Sequence, residues 1–151
     1  MDRSVLAVLD PIHEAAMERL AEQVEVMPPG ATEGWHARAH GVIVRATPIT
    51  KADLDAAPQL RVVGKHGTGL DNIDVAAVEA AGIPVRSTPG VNAPTVADLA
   101  VGMALALVRR LVDHTNALCA GTALRGVEHR GWDLGELRAG IIGVGAIGSR
   151  V

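Results

Sequence analysis

Aromatic side chains and cysteine are almost absent from this sequence of 151 residues. It has two Trp, no Tyr and no Phe, so it offers no aromatic platform on which nucleic-acid bases could stack. Its 14 basic and 17 acidic side chains give a net charge of −3, which leaves no positive excess to attract a phosphate backbone. The single cysteine, Cys119, excludes a disulfide within the chain. Nucleic acid is therefore not expected as a partner, and we expect a reduced, cytoplasmic protein.

Long hydrophobic runs are missing as well. The longest covers residues 99–108, whereas a membrane-spanning helix needs about 18 to 20 apolar residues. The first three residues, Met1-Asp2-Arg3, include an acidic side chain and precede no apolar region adequate for a signal peptide. A chain of this length suits one globular domain that buries roughly 68–70% of its unfolded surface without a disulfide or a metal. Neither a membrane segment nor a targeting signal is predicted.

Short β-branched runs alternate with alanine-rich stretches of helical length through the first half of the chain. This pattern predicts an α/β fold with parallel strands covered by helices. Asp74 and Gly82 suit the N-cap and C-cap positions of a helix over residues 75–81. The predicted strands lie at residues 5–9, 24–27, 42–44, 62–63 and 83–85, and the other helical stretches at residues 12–20, 31–39 and 51–57.

The second half has a different character. A single long helix is predicted from Pro94 to Ala120, ending at Gly121, and its apolar residues fall on several faces, which predicts burial on most sides. Residues 121–133 are mixed and polar, as in a connector. Residues 140–142 predict one more short strand.

Residues 143–148 read GVGAIG, a G-x-G-x-x-G motif that follows the predicted strand and would open a helix. In that context the first glycine permits a tight turn, the second lets the backbone approach a pyrophosphate, and the third lets helix and strand pack. The motif favours a dinucleotide site, although a plain tight turn produces the same glycines. The acidic residue expected about 20 positions later would fall after Val151.

A second glycine-rich segment, VVGKHGTGLDNID at residues 62–74, runs from a strand into a loop. Such a loop exposes backbone N–H groups at the carboxyl edge of a parallel sheet, where ligands bind, and it suits a small anion. Alternatively, Asp71 and Asn72 make only local turn bonds and Lys65 is solvated. Arg45 ends the preceding strand and could converge with Lys65 on one anion, unless it is merely a surface charge. Asn92 could donate to a ligand or simply cap the long helix.

Taken in order, the segments IVRATPIT, VVGKHGTGLDNID, GIPVRSTPGVNAPTVADLAVGMALALVRR and GIIGVGAIG resemble the D-isomer-specific 2-hydroxyacid dehydrogenases. The resemblance runs from about Gly41 to Val151. It is strongest to 3-phosphoglycerate dehydrogenase-like members, which carry basic residues at the positions of Arg45 and Lys65.

The resemblance implies a flavodoxin-like substrate domain over residues 1–93, a linking helix that contributes to homodimers over residues 94–120, and the start of an NAD (or NADP)-binding Rossmann domain over residues 121–151. It assigns no metal ligand and no catalytic residue within this chain, because the family's catalytic arginine, glutamate and histidine would lie beyond Val151. The implied contacts to a 2-hydroxy or 2-keto acid, phosphorylated or not, are Arg45, Lys65, His66, Gly67, Thr68, Gly69 and Asn92. The implied contacts to the cofactor pyrophosphate are Gly143, Gly145, Ala146, Ile147 and Gly148.

The leading hypothesis is therefore the N-terminal portion of an NAD-dependent oxidoreductase that interconverts a D-2-hydroxy acid and a 2-keto acid, inactive on its own. A second hypothesis is a non-catalytic module that binds a small organic acid or pairs with a complete subunit. A third is a structural flavodoxin-like domain that acts through its long helix.

Overall fold

The computed structural model describes residues 3–151 and, at Glu128, the backbone alone. Met1 and Asp2, which entered the expectation of no signal peptide, lie outside the described residues. Two compact units follow one another along the chain, the first ending at Pro89 and the second running from Gly90 to Val151. No helix in this described part is both long and apolar enough to cross a bilayer.

One sheet of five parallel strands organises the first unit, as the sequence predicts. β1 pairs with β2 on one side and with β3 on the other, and β4 and β5 extend the sheet, so the order is β2-β1-β3-β4-β5. This is the flavodoxin-like order, and it confirms the predicted fold class. The strands are β1 (Val5–Val8), β2 (Glu25–Met27), β3 (Gly41–Val44), β4 (Val62–Lys65) and β5 (Val85–Arg86).

Four helices connect these strands. Because crossovers between parallel strands are right-handed, the strand order puts α1 on one face of the sheet and the other three helices on the opposite face. The core lies on the latter face, where Val42 and Val63 from the central strands are buried with Leu54 and Val78 from the helices. The helices are α1 (Glu14–Gln23), α2 (Trp35–Arg38), α3 (Lys51–Ala56) and α4 (Val75–Ala80).

Polar residues at helix N-termini fix where the helices begin. The predicted cap of α4 is confirmed, since the Asp74 carboxylate accepts a hydrogen bond from the Ala77 amide at 3.0 Å. Thr50 and Asp53 form a capping box at the start of α3, and His36 Nε2 of α2 lies 3.0 Å from Asp53 Oδ1. Burial raises the pKa of the Asp53 carboxyl, but the hydrogen bonds from Thr50 and His36 outweigh it and hold the pKa below its ordinary value.

The second unit contains α5 (Ala93–Val108) and α6 (Leu111–Cys119), so the prediction of one helix over residues 94–120 is wrong. The expected burial of that helix is wrong too. The buried residues of α5 are Ala93 and Ala97, whereas Leu107 exposes 78% of its surface. An apolar helix face is covered only where another element packs on it, and α6 packs on α5 without covering these side chains.

The break between α5 and α6 is caused by a contact with the connector that follows α6. The carbonyl of Val108 accepts from the amide of Trp132 at 2.9 Å, whereas an unbroken helix would give it the amide of Val112. Gly131 packs on the same carbonyl, where a Cβ would come within 2.7 Å of the oxygen, so a side chain does not fit there. Arg110 then takes a left-handed conformation with φ 52°. The connector therefore ends α5 by docking on its last turn.

The predicted strand at residues 140–142 and the helix after it are also not formed. Residues 140–142 join no ladder, and residues 146–150 form a turn. A parallel strand exists only beside a neighbouring strand, and the described residues of the second unit contain none. Between α6 and this segment the chain makes two short 3-10 turns, Val127–His129 and Leu134–Glu136.

Candidate functional site

The carboxyl ends of β3 and β4 carry the two cations singled out from the sequence. These strands are neighbours, Val44 pairs with Lys65 in their register, and Arg45 follows Val44 directly. The Lys65 Nζ donates a hydrogen bond to the carbonyl of Arg45 at 2.6 Å. The structure therefore brings Arg45 and Lys65 to one edge of the sheet, the edge at which parallel α/β sheets bind ligands.

Asp10 follows β1, separated from it by Leu9, and it binds the loop that contains Arg45. Its carboxylate accepts the amides of Arg45 at 2.6 Å, Ala46 at 3.0 Å and Thr47 at 3.0 Å, and the Thr47 hydroxyl at 2.9 Å. Burial raises the pKa of this carboxyl, but the bonds from Arg45, Thr47 and Ala46 outweigh it and hold the pKa below its ordinary value. Asp10 is thus a fixed negative charge beneath the loop.

Asn72 joins the loops that follow β3 and β4. Its Nδ2 donates to the carbonyl of Thr47 at 2.6 Å, and its Oδ1 accepts from Lys65 Nζ. The carbonyl of Asn72 accepts from the amide of Ile49 at 2.8 Å. The Lys65 ammonium is therefore held between two oxygen acceptors, and the two loops form one hydrogen-bonded body.

The four amides predicted to face an anion divide into two pairs. The amide of His66 donates to the carbonyl of Val44 at 2.8 Å, and that of Gly67 donates to the carbonyl of Lys65 at 3.0 Å and to Thr88 Oγ1 at 3.1 Å. The amides of Thr68 and Gly69 have no acceptor among the described residues. Only this second pair is available to an external anion.

Charges of both signs lie at the same edge of the sheet as that pair. The Arg45 side chain is exposed, and within the part of the chain that the structure describes its guanidinium has no hydrogen-bond partner. The Asp71 carboxylate lies beside Gly69, where a Cβ would meet its Oδ2 at 2.8 Å. An anion on the Thr68 and Gly69 amides would gain from Arg45 and Lys65 and lose part of that gain to Asp71.

A cavity of about 540 Å³ opens beside α1 in the first unit. Lys65 and His66 line it together with Arg19 of α1 and Arg86 of β5, and no Asp or Glu of the described residues does so. Arg45, Thr68 and Gly69 do not line this cavity. The predicted substrate contacts of the first unit therefore share an edge of the sheet but not one enclosed pocket.

Asn92 belongs to the second unit and is the residue before the first turn of α5. It occupies the N-cap position, and Pro94 lies in the first turn as expected, but the Asn92 side chain makes no capping hydrogen bond. The exposed amide group is therefore not used to hold the helix.

The glycine turn at residues 143–148 is formed although its flanking strand and helix are not. Gly143 has φ +88°, a conformation that side chains rarely adopt. A Cβ on Gly148 would overlap the carbonyl oxygen of Gly143, whereas a Cβ on Gly145 would meet nothing within 4 Å. The open space at Gly145 is what close approach of a pyrophosphate requires, so these residues fit that part of a dinucleotide.

The interpretation of the sequence missed three residues that the structure adds: Asp10, Asn72 and Thr88. Asp10 reads as the end of a strand before a proline, and Asn72 as a local turn residue. The one signal that could have found Asp10 is its place directly after the segment of a central strand, where side chains reach the neighbouring loops. No group of three or more His, Cys, Asp or Glu able to hold a metal ion occurs among the described residues.

Comparison with known proteins gives a family match over residues 6–144, to the D-isomer-specific 2-hydroxyacid dehydrogenase catalytic domain. The chain is 40% identical over 114 residues to a hydroxypyruvate reductase of Thermotoga maritima, an alignment that covers 73% of this chain and 36% of that protein. It is 35% identical over 152 residues to a D-3-phosphoglycerate dehydrogenase of Methanocaldococcus jannaschii, covering 97% of this chain and 29% of that protein.

A solved structure has the same fold. The NADPH-dependent glyoxylate/hydroxypyruvate reductase of Sinorhizobium meliloti superposes with a TM-score of 0.75 at 29% identity, over 99% of this chain and 49% of that one. The chain thus spans about half the length of this solved relative and about a third of the two sequence relatives.

Proposed function

The chain belongs to the family of D-isomer-specific 2-hydroxyacid dehydrogenases, and from this membership we propose that it supplies the substrate-binding part of an NAD(P)-dependent oxidoreductase. The reaction is the interconversion of a D-2-hydroxy acid and a 2-keto acid. The observation that carries the proposal is the pair of unpaired amides at Thr68 and Gly69, which follow β4 at the same carboxyl edge of the sheet that carries the cations Arg45 and Lys65.

The substrate carboxylate suits these two amides, because a carboxylate has two oxygens and each can accept one N–H. Arg45 then serves a second anionic group, since its guanidinium donates in a planar fork that matches a phosphate or a carboxylate. Lys65 contributes positive charge while its ammonium stays on Arg45 and Asn72. His66 and Gly67 shape the loop. A dianionic substrate such as a phosphorylated hydroxy acid is favoured by this arrangement.

The cofactor is NAD or NADP, which when bound supplies or accepts the hydride. Gly143, Gly145, Ala146, Ile147 and Gly148 would hold its pyrophosphate, with the backbone exposed at Gly145 as the point of closest approach. The relative from Sinorhizobium meliloti is NADPH-dependent.

Turnover needs a proton donor near the substrate carbonyl, with a pKa near neutrality. The resemblance places the family's arginine, glutamate and histidine for this step beyond Val151, and we assign no catalytic residue to this chain. It binds its acid and turns over nothing by itself. The exposed apolar side chains of α5, among them Leu99, Met103 and Leu107, favour a homodimer through that helix. A single exposed Cys119 fits a reduced, cytoplasmic protein.

Calorimetric titration of the 151-residue chain with D-3-phosphoglycerate, glyoxylate and sulfolactate tests the proposal. Arg45→Ala should weaken phosphoglycerate binding about tenfold, the loss expected for one charged hydrogen bond. Arg61→Ala is the matched control, because Arg61 is exposed and precedes β4 at the opposite edge of the sheet. Failure of all three acids to bind, or equal losses in both variants, would refute the site.

A second candidate, a non-catalytic module that binds a small organic acid, rests on the same free amides. Tight binding by the isolated chain would favour this module, and weak binding would favour the part of an enzyme. NADH oxidation with a 2-keto acid by the pure chain would contradict both and place catalytic groups within these residues.

A further inference from the structure

The loop after β3 contains three successive amides that all point to one carboxylate. The amides of Arg45, Ala46 and Thr47 reach Asp10 at 2.6–3.0 Å, and no other acceptor within the described part of the chain receives them. Three aligned N–H groups would otherwise form a binding site for an anion from solution. Asp10 fills that site from within the fold, so an external anion cannot use it.

The contact with Asp10 also fixes the backbone of Arg45, whose side chain is exposed. Asp10 holds the amide of Arg45, Lys65 Nζ holds its carbonyl at 2.6 Å, and Asn72 holds the carbonyl of Thr47 at 2.6 Å. The backbone of Arg45 is therefore bound on both sides, while its guanidinium has no partner among the described residues. A side chain whose own peptide groups are fixed loses less freedom when it binds a ligand, which increases affinity.

We propose that Asp10 is a positioning residue for Arg45, and that it sets the preference of the site for acids with a second anionic group over simple keto acids. The inference rests on the proposed function, since it takes Arg45 as a substrate contact. Asp10 does not touch the substrate. It acts through the loop, whereas the Thr68 and Gly69 amides, which take the carboxylate common to all substrates, do not depend on it.

Asp10→Asn tests this in the 151-residue chain, because the amide keeps the size of the side chain but loses the negative charge that strengthens its hydrogen bonds to the three backbone amides. We expect D-3-phosphoglycerate to bind about tenfold more weakly and glyoxylate to bind within about twofold of the unaltered chain. Asp55→Asn is the matched control, since Asp55 is exposed on α3 and, among the described residues, its carboxylate bonds to Lys51 alone.

A double-mutant cycle separates positioning from general damage. If Asp10 acts through Arg45, the variant with both Asp10→Asn and Arg45→Ala binds phosphoglycerate no more weakly than Arg45→Ala alone. Additive losses, or an equal loss for glyoxylate, would overturn the inference.

Hydrogen exchange gives a readout that needs no ligand. The amides of Ala46 and Thr47 should exchange faster in Asp10→Asn, while the amide of Leu9, which donates to Ile43 within the sheet at 2.9 Å, keeps its protection. Unchanged exchange at residues 46 and 47 would overturn the positioning role. If the unaltered chain binds neither acid but the exchange result holds, the proposed function fails and the ordering of the loop by Asp10 stands.

Discussion

Replacing Asn72 by alanine should destabilise the first unit by about 2 kcal/mol. The Asn72 side chain makes two bonds between the loops after β3 and β4, one donated to the carbonyl of Thr47 and one accepted from the Lys65 ammonium. A neutral bond contributes about 0.5–1.5 kcal/mol and a charged one about 1.5–3 kcal/mol. Water replaces part of both, because Asn72 and Lys65 are only half-buried, and this brings the expected loss to the lower end of the sum.

Urea unfolding followed by the fluorescence of Trp35 measures the loss of stability of the first unit, to which Trp35 belongs. Trp35 is buried in the core of the first unit, whereas Trp132 lies in the second and is 61% exposed, so a Trp132→Phe background isolates the wanted signal. With a slope of about 2 kcal/mol per molar urea, the midpoint should fall by about 1 M. Gln59→Ala is the control, since Gln59 makes one exposed bond to the carbonyl of Ala37 and should cost less than about 0.5 kcal/mol.

A double-mutant cycle between Asn72 and Lys65 tests whether their hydrogen bond joins the two loops. If the Asn72 amide and the Lys65 ammonium act together, Asn72→Ala and Lys65→Met should cost less in combination than the sum of the single losses. Full additivity, or a loss for Asn72→Ala no larger than that for the Gln59 control, would refute the view that these loops form one hydrogen-bonded body.

Three further outcomes are expected. The lowered pKa of Asp53 stabilises the fold fully above the unfolded-state pKa of about 3.9, and this stability is lost as the pH falls through the folded-state pKa. Asp53→Asn should therefore reduce the fall of the urea midpoint between pH 6 and pH 3. An unchanged dependence of the midpoint on pH would contradict this. Leu107→Asp should convert dimers to monomers in light scattering, because it puts a charge on the apolar face of α5, and an unchanged mass would count against a dimer through that face. Gly148→Ala should lower the melting temperature, because its Cβ would overlap a carbonyl oxygen, whereas Gly145→Ala should leave it unaltered, and equal effects would show that the glycine turn is not formed as described.

The sequence predicts the first unit well because each of its elements has a local signature. Strands β1 to β5 follow from β-branched runs, and α4 follows from the cap at Asp74 and the glycine at position 82. Periodicity and caps are properties of neighbouring residues, so they can be identified in the sequence without knowledge of the rest of the fold. The strand order follows from the resemblance rather than from these signals.

The break between α5 and α6 could not be predicted, because nothing in residues 105–115 forbids a helix. It depends on Trp132 and Gly131, which reach Val108 from more than twenty positions away. The same limit applies to the site: Arg45 and Lys65 stand out as cations after strands, but their anchors do not. Asp10 lies 35 positions before Arg45, and only the pairing of β1 with β3 brings them together.

The place of β1 in the sheet has a consequence for how the first unit folds. β1 precedes both of its neighbours along the chain. Val5 can pair only after Glu25 has been synthesised, and Leu6 can pair with β3 only after Gly41 has been synthesised. During synthesis one edge of β1 therefore stays open until Met27 has left the ribosome and the other until Val44 has, and no hairpin can close either edge earlier, since the described strands all pair in parallel. The rate at which β3 is synthesised, rather than the rate at which any local turn forms, should set the time at which Asp10 bonds to the amides of Arg45, Ala46 and Thr47. Slow translation across residues 28–40 would thus prolong exposure of an apolar strand, and fast translation would shorten it.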